Sequence, residues 1–188
     1  MRGAVALASL AVLAVLGGCA SAPPSPAVDA RVESSFAAQG RLSARKGSDG
    51  VAVHYDWTHA ADADRFDIAT PLGQTVARME RDASGVRVER PGEAPVAYRD
   101  WSSLTNAVLG VAIPLEGLAS WLQGAPMRGT ASDLERDDAG RPLVLRQQGW
   151  EIVYAYADAS ARPSRLVMRY PGGEPLEVRI VVDTFAAR

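Results

Sequence analysis

Hydrophobic and polar residues alternate at every second position along most of the chain after residue 50. Val51, Val53, Tyr55 and Trp57 share one phase, for example. The other alternating stretches carry the apolar sets Val86 and Val88; Trp150, Ile152, Tyr154 and Tyr156; Leu166, Met168 and Tyr170; and Leu176, Val178, Ile180 and Val182. A period of two is typical of strands with one buried and one solvated face. The chain is therefore predicted to be mainly β.

Short clusters of Gly, Pro and Asp separate these stretches. They are Lys46 to Gly50, Asp82 to Gly85, Pro91 to Pro95, Asp137 to Pro142 and Pro171 to Pro175. Strands so close in sequence pair antiparallel as a meander. We count roughly nine to eleven of them, too many for an open sheet of this length to stay uncurled. The pattern predicts an antiparallel barrel, complete or split.

The segment near residues 100–124 has a helical period instead. Asp100 can cap a first helix that ends near Gly110, and Pro114 can begin a second that ends near Gly124. The apolar faces of the two helices are Trp101, Leu104, Val108 and Leu109, and Leu115, Leu118, Ala119 and Leu122. Two short amphipathic helices must cover an apolar surface. We expect them to form a lid over the concave side of the sheet.

The first eighteen residues have the pattern of a secretory signal peptide. Arg2 gives a positive start, an apolar run extends from Val5 to Leu16, and Gly17 and Gly18 precede Cys19. The segment is short of the roughly 20 apolar residues that span a bilayer. Its end resembles the lipobox of bacterial lipoproteins, in which the cysteine receives acyl chains. We therefore predict a removed signal peptide at 1–18 and a lipid anchor on Cys19.

A tether and one folded domain are predicted after the signal. Residues 19–34 contain Pro23-Pro24-Ser25-Pro26, which is stiff and has no core-forming residue. Residues 35–188 suffice for one domain with a sizeable core. Cys19 is the only cysteine, so packing alone must hold the fold. The formal net charge is -2, and the sequence has no long run of acidic or of basic residues. It therefore has no basic cluster of the kind that binds nucleic acid.

One predicted turn carries an unexpected side chain. Between two alternating stretches lies Pro71-Leu72-Gly73, where proline and glycine favour a tight reversal. Turn tips face water, and a large apolar side chain gains nothing there unless an apolar surface meets it. Two interpretations are open: Leu72 folds back on its own domain, or it contacts something outside it.

The sequence contains no pattern that points to a catalytic or metal site. His54 and His59 are five residues apart and would point to opposite faces of one strand. Asp133, Glu135 and Asp137 alternate as in a calcium loop, but the glycine and glutamate that such a loop also requires are missing. A catalytic triad assembled from distant positions is left open. We predict a polar hairpin here, no bound metal and no enzymatic activity.

The inward-facing aromatic and aliphatic residues have two interpretations. Trp57, Phe66, Met79, Trp150 and Tyr154 would be expected in any packed β-core. A half barrel with a removable lid can instead hold a ligand, and these walls would suit an apolar one. The residues alone do not choose between core and cavity.

Several segments, taken in order behind the lipobox, resemble the LolB family of outer-membrane lipoproteins, which receive other lipoproteins from a periplasmic carrier. They are Phe36-Ala-Ala-Gln-Gly-Arg-Leu-Ser43, Tyr55-Asp-Trp57, Thr70-Pro-Leu-Gly73, Leu109-Gly110, Ile113-Pro-Leu115, Leu118-Ala-Ser-Trp-Leu-Gln-Gly124 and Gln148-Gly-Trp150. One departure is Phe185, which lies where a tryptophan would often close the final strand. It keeps an aromatic ring at that edge.

The resemblance implies an incomplete, unclosed antiparallel barrel with a helical lid and an apolar cavity for acyl chains. It implies no cofactor beyond the covalent acyl groups on Cys19, and as partners the soluble carrier LolA, client lipoproteins and outer-membrane lipid, with the protein acting as a monomer on the periplasmic face. Leu72 matches the family's exposed loop leucine, associated with delivery of the client to the membrane. The candidate cavity residues are Tyr55, Trp57, Phe66, Ile68, Met79, Leu104, Val108, Leu118, Leu122, Trp150, Ile152 and Tyr154.

Two rivals to the receptor interpretation stay open. A generic lipid-binding lipoprotein would share the cup without accepting a lipoprotein from a carrier. A purely structural lipoprotein would have an interior filled by its own side chains.

Overall fold

The computed structural model describes residues 31–157 and 160–188. The predicted signal peptide, Cys19 and most of the predicted tether lie outside the described residues. At the end of that tether, the backbone of Glu33 is already bound to the domain: its N–H donates to Gln123 Oε1 over 2.7 Å, and its carbonyl accepts from Gln123 Nε2 over 3.0 Å.

Eleven strands and two helices make up the part of the chain that the structure describes. In chain order they are β1 (Phe36–Lys46), β2 (Asp49–His59), β3 (Asp64–Ala69), β4 (Thr75–Asp82), β5 (Gly85–Glu89), β6 (Val96–Tyr98), α1 (Trp101–Leu109), α2 (Leu115–Trp121), β7 (Ser132–Arg136), β8 (Pro142–Gln147), β9 (Trp150–Ala155), β10 (Arg165–Tyr170) and β11 (Leu176–Ala187). The tight glycine- and proline-containing turns of the sequence lie between consecutive strands, as predicted.

All eleven strands form one antiparallel sheet in the order β6-β5-β4-β3-β2-β1-β11-β10-β9-β8-β7. The first and last strands pair along their full length at its centre, while β6 and β7 are its two edges. The predicted fold class, a mainly β, unclosed antiparallel barrel of nine to eleven strands with two short helices, is confirmed. The two helices follow β6 and precede β7 in the chain, so they connect the two edge strands of the sheet.

The period-two pattern maps onto the two faces of the sheet. In β2, Val53, Tyr55 and Trp57 are buried, whereas Ala52, His54 and Asp56 are exposed. His54 and His59 lie on opposite faces, as their spacing predicts. Because the same alternation recurs in the other long strands, one continuous hydrophobic core forms on the concave side.

A bulge near the middle of the central strand pair shifts this alternation. Gln39 pairs with Thr184 and Gly40 with Val182, so Asp183 is an extra residue on β11. The shift turns Phe185 to the inner side, where its ring stacks on Phe36 with centroids 4.9 Å apart. The aromatic residue at this edge therefore packs on the core.

The first helix is capped at both ends by the predicted residues. Asp100 accepts a hydrogen bond from Ser103 N over 2.7 Å, and Gly110 adopts a left-handed conformation with φ of 74°. The second helix begins after Pro114 but ends at Trp121, earlier than predicted. The reason is a tighter turn, in which Gln123 N donates to Ser120 O and Gly124 N donates to Trp121 O.

Candidate functional site

The twelve candidate interior residues come together in one cluster on the concave face. Eleven are buried: Tyr55, Trp57, Phe66, Ile68, Met79, Leu104, Leu118, Leu122, Trp150, Ile152 and Tyr154. The twelfth, Val108, is half-buried and packs against the others. They come from β2, β3, β4, β9 and both helices, so the lid and the sheet share one apolar interior. A role for them in contacting acyl chains stays a prediction.

The interior side chains pack against one another beneath the helices. Met79, Leu104 and Ile152 are each 0% exposed. Aromatic rings pack edge to face and stacked: the Phe66 centroid lies 5.6 Å from that of Trp57 and 5.5 Å from that of Tyr55. A hydrocarbon chain could therefore enter only where the helices move away from the sheet.

A large open depression lies on the opposite, convex face. It measures about 480 Å³ and is bordered by Pro71, Arg41, Arg165 and Val167 among other residues. Its lining combines arginine side chains with apolar ones such as Val167 and Val181.

Gln147, near the end of β8, fastens the C-terminal end of the lid to the sheet. Its Oε1 accepts hydrogen bonds from Trp121 Nε1 and from Met127 N, both over 2.8 Å. Its Nε2 donates to the carbonyl oxygens of Met127 and Thr130, both over 3.1 Å. The side-chain amide is 3% exposed and fully used, so the end of α2 and the loop after it are fixed at this point.

Gln123 fixes the same end of the lid to the start of the domain. Besides its bonds with Glu33, its Nε2 donates to Ala119 O over 3.0 Å, and its Oε1 accepts from Arg162 Nη1 over 3.1 Å. Gln147 and Gln123 thus make two separate buried connections at the C-terminal end of α2.

The N-terminal end of the lid is joined to the sheet by residues 99 and 100, which link β6 to α1, and a buried hydroxyl ties the two helices together. The hydroxyl of Thr105, buried in α1, accepts from Ile113 N over 2.8 Å and lies 3.1 Å from Ile113 O. This joins the linker between the helices to the first helix. Helix α1 otherwise packs against β5, β6 and α2 through side chains rather than through a backbone ladder.

Asp64 at the start of β3 organises a buried polar cluster at the rim. Its Oδ1 accepts from Trp57 Nε1 over 3.0 Å and lies 2.6 Å from His59 Nδ1, while its Oδ2 accepts from Arg81 Nε over 2.7 Å. Burial alone would raise the pKa of the Asp64 carboxyl. The hydrogen bonds from His59, Arg81 and Trp57 outweigh it, so the pKa lies below its ordinary value.

Sequence reasoning missed these buried polar residues. Asp64, Thr105, Gln123 and Gln147 are the buried polar or charged side chains of the part of the chain that the structure describes. The sequence did offer one signal, which is the position of each residue in the alternation of buried and exposed residues. Each lies on the buried side of its strand, helix or turn, where an apolar residue is the default. Gln123 and Gln147 have partners distant in sequence, and Asp64 and Thr105 bond to neighbouring strands or to the next linker, so no local motif marks them.

Replacement of Asp64 by Asn is expected to lower the free energy of unfolding at pH 7 by on the order of 2 kcal/mol, because hydrogen bonds to a buried charged group are lost. A depressed carboxyl pKa stabilises the fold above the unfolded pKa, and this contribution is lost as the pH falls through the folded value. The difference between wild type and variant should therefore shrink below about pH 4. Urea unfolding followed by tryptophan fluorescence at pH 7 and pH 3 measures both effects.

The matched control is Asp67→Asn in the same strand. Asp67 pairs with Arg65 and Arg78 on the outer face, where its side chain is 28% exposed. Exposed pairs of this kind contribute about 1 kcal/mol or less. An equal loss for both variants would contradict the special role of the buried cluster.

The turn between β3 and β4 is closed by its own backbone. Gly73 N donates to Thr70 O and Thr70 N donates to Gln74 O, both over 2.8 Å, and Gly73 has a φ of 83° that favours glycine. Leu72 at the tip is 91% exposed, whereas the next most exposed large hydrophobic residue, Val96, is 43% exposed. Leu72 therefore does not fold back on its own domain.

Among residues 31–157 and 160–188, we find no group of three or more His, Cys, Asp and Glu side chains that could hold a metal ion. Asp133 and Glu135 belong to the β7–β8 hairpin, where both pair with Arg146. Within the described ranges, neither helix has the length and apolar content that a membrane span requires.

The fold resembles a known structure at low sequence identity. The crystal structure of a LolA superfamily protein from Nitrosomonas europaea matches with a TM-score of 0.52 and 13% sequence identity, covering 83% of this chain and 87% of that one. At this identity the likeness shows the fold alone.

Sequence comparisons give the family. A protein called outer-membrane lipoprotein LolB from Thiobacillus denitrificans is 36% identical over 187 residues, covering 98% of each chain. One of the same name from Chromobacterium violaceum is 37% identical over 186 residues, covering 96% of this chain and 97% of that one. The family model described as outer membrane lipoprotein LolB matches residues 34–185, which include the whole sheet but its last two residues, both helices and the Leu72 turn. The chain therefore belongs to the LolB family.

Proposed function

We propose that this protein is an outer-membrane receptor for lipoproteins. It accepts them from the periplasmic carrier LolA, holds their acyl chains between the sheet and the helices, and inserts them into the outer membrane. The observation that carries the proposal is an apolar interior under a helical lid that packs on the sheet through side chains. Family membership over residues 34–185 supports the same function.

An acyl chain would take the place of the lid's apolar face. Burial of hydrocarbon contributes about 0.8 kcal/mol per methylene group, so a long chain offsets the contacts that the helices give up. Moving the helices breaks side-chain packing but leaves the backbone ladder of the sheet intact. Gln147 and Gln123 hold the end of α2, and residues 99 and 100 join the start of α1 to β6. The two helices would therefore lift from the sheet between these two attachments, with Thr105 keeping them together.

Transfer in this proposal runs downhill and without a nucleotide. Acyl chains pass from the carrier to this protein because its interior binds them better, and then to the bilayer because it binds them better still. Differential affinity is the only quantity that can set the direction. The protein acts by binding and transfer as a monomer, with no cofactor and no catalysed covalent step.

Acyl groups on Cys19 would hold the protein to the periplasmic face of the outer membrane. Two or more chains anchor a protein stably, whereas one holds it only marginally. Between Cys19 and Glu33, whose backbone is bound to the domain, an extended chain spans at most about 50 Å. That reach lets the domain meet a carrier in the periplasm and also lie against the membrane.

Leu72 is the proposed membrane contact. Complete burial of a leucine contributes about 1.5 to 3 kcal/mol, which is too little to anchor a protein. It is enough to bring the rim of the sheet transiently against lipid while a bound acyl chain is released. The bilayer is thus the apolar surface that meets this side chain.

A transfer assay with purified components tests the proposal. The mature protein is mixed with LolA carrying an acylated lipoprotein, and the distribution of the lipoprotein between the two is measured after separation. We expect the lipoprotein to move to this protein and, when outer-membrane vesicles are added, onward to them. Binding of a fluorescent acyl probe without transfer from the carrier would favour a generic lipid-binding lipoprotein. Failure to bind the probe would favour a structural one.

A further inference from the structure

Two buried polar atoms in the interior have no hydrogen-bond partner among the described residues. They are Nε1 of Trp101, the first residue of α1, and the hydroxyl of Tyr154 on the inner face of β9. Trp101 is 0% and Tyr154 4% exposed, so water does not serve these atoms from outside. Buried polar groups in folded proteins are nearly always paired, because an unpaired one forfeits its hydration.

The same residue types are paired elsewhere in this interior. The indole N–H of Trp57 donates to Asp64 Oδ1 and that of Trp121 donates to Gln147 Oε1. The hydroxyl of Tyr55, a residue as buried as Tyr154, donates to Val181 O over 3.2 Å. The fold thus provides hydrogen-bond partners for these buried indole and phenol groups, whereas Trp101 Nε1 and the Tyr154 hydroxyl have none among the described residues.

Both unpaired groups can donate a hydrogen bond, and neither carries a charge. An indole nitrogen can only donate. Burial raises the pKa of Tyr154 far above its usual range, so its hydroxyl keeps its proton. Their complement is an uncharged acceptor that enters an apolar space. In a lipid, that description fits the carbonyl oxygens of the ester or amide bonds that join acyl chains to their head group.

We propose that Trp101 Nε1 and the Tyr154 hydroxyl donate hydrogen bonds to ester or amide carbonyl oxygens of acylated ligands bound in the interior. This inference rests on the proposed function and adds a specificity to it: the site recognises acyl groups through their carbonyls as well as through their hydrocarbon. The empty protein keeps these donors unsatisfied, and a bound ligand pairs them.

The test compares Tyr154→Phe with Tyr55→Phe in the full mature chain. The probes are a monoacylglycerol and the ether-linked alkylglycerol of the same chain length, which lacks the carbonyl. Each competes against a fluorescent fatty acyl probe. We expect Tyr154→Phe to weaken binding of the ester about fivefold to tenfold, the effect of one hydrogen bond, and to leave binding of the ether unchanged. Tyr55→Phe should not alter the ester-to-ether ratio.

Thermal unfolding of the empty variants supplies a second readout. Tyr154→Phe removes an unsatisfied hydroxyl and should keep or raise Tm, whereas Tyr55→Phe removes a made hydrogen bond and should lower it. For Trp101, the indole N–H resonance in two-dimensional NMR should shift with the ester and not with the ether. The indole resonances of Trp57 and Trp121 are the internal controls.

The outcomes separate this inference from the proposed function. If the wild type binds both lipids and Tyr154→Phe weakens them equally or not at all, the carbonyl contact is wrong and the receptor proposal stands. A fall in Tm for Tyr154→Phe as large as that for Tyr55→Phe would likewise overturn it, because a hidden partner such as buried water would then be shown. If the wild type binds neither lipid, the proposed function falls with it.

Discussion

Replacement of Leu72 by Glu is expected to leave folding and lipoprotein uptake unchanged while delivery to the membrane falls roughly a hundredfold. The substitution removes about 1.5 to 3 kcal/mol of apolar burial in lipid and would carry a carboxylate into the bilayer, which is costly. At 91% exposure the side chain makes no contribution to the core that its loss could disturb. The measurement is the rate of lipoprotein insertion into vesicles after transfer from the carrier, with thermal unfolding as the check on folding.

Two further variants make the result specific to the loop. Leu143→Glu places the same charge on another exposed leucine, 40% exposed on β8, and should leave insertion unchanged. Leu72→Phe keeps a large apolar side chain at the tip and should retain most of the activity. Normal insertion by Leu72→Glu would show that the loop is not the membrane contact.

A single methyl group on Gly40 is expected to destabilise the whole domain. A Cβ at this position would lie 1.9 Å from the backbone oxygen of Val181, and neither strand can move away without breaking the central β1–β11 pairing. Overpacking against backbone of this kind costs about 3 kcal/mol or more. For a domain of this size, Gly40→Ala should then lower Tm by about 6 to 12 °C in a thermal unfolding experiment.

Gly50→Ala is the matched control in the neighbouring strand. Its added Cβ would lie 3.5 Å from Ala44 O, an ordinary contact. We expect a Tm within about 2 °C of the wild type, since surface substitutions away from special features stay within about 0.5 kcal/mol. If Gly40→Ala is as stable as this control, the close approach at the bulge is not what requires glycine.

The closed lid has a physical advantage for a receptor in its empty state. An open half barrel would expose a contiguous apolar surface, which promotes association and aggregation. With Leu104, Leu118 and Leu122 packed on the sheet, that surface is covered until an acyl chain competes for it. In the proposed function, lipid must displace the helices from the sheet to reach that surface.

Much of the architecture was predictable because strands and helices leave local periodic patterns. The phase of Val53, Tyr55 and Trp57 identifies the buried face of β2, and Asp100 and Gly110 mark the ends of α1, since capping depends on neighbouring residues only. Pro71 and Gly73 similarly predict the turn that displays Leu72. These features follow from interactions within a few residues of chain.

The bulge at Gly40 was not predictable in the same way. It depends on the pairing of the first strand with the last, and on an extra residue, Asp183, in a strand more than a hundred residues away. Because of the bulge, the side chain of Phe185 lies on the inner side of the sheet, whereas the alternation from Leu176 to Val182 would place it on the outer side. Long-range register is set by packing of the complete sheet, which no local pattern contains.

The sequence by itself determined the β-rich architecture, the two capped helices, the Leu72 turn and the apolar character of the interior, because each depends on local periodicity and turn chemistry. Only the tertiary structure decided that Gln123 and Gln147 are buried partners of distant groups and fasten the C-terminal end of the lid. It also decided that Trp101 Nε1 and the Tyr154 hydroxyl lack partners among the described residues. Hydrogen bonds between residues far apart in the chain exist only once the sheet has curved and the helices have closed on it.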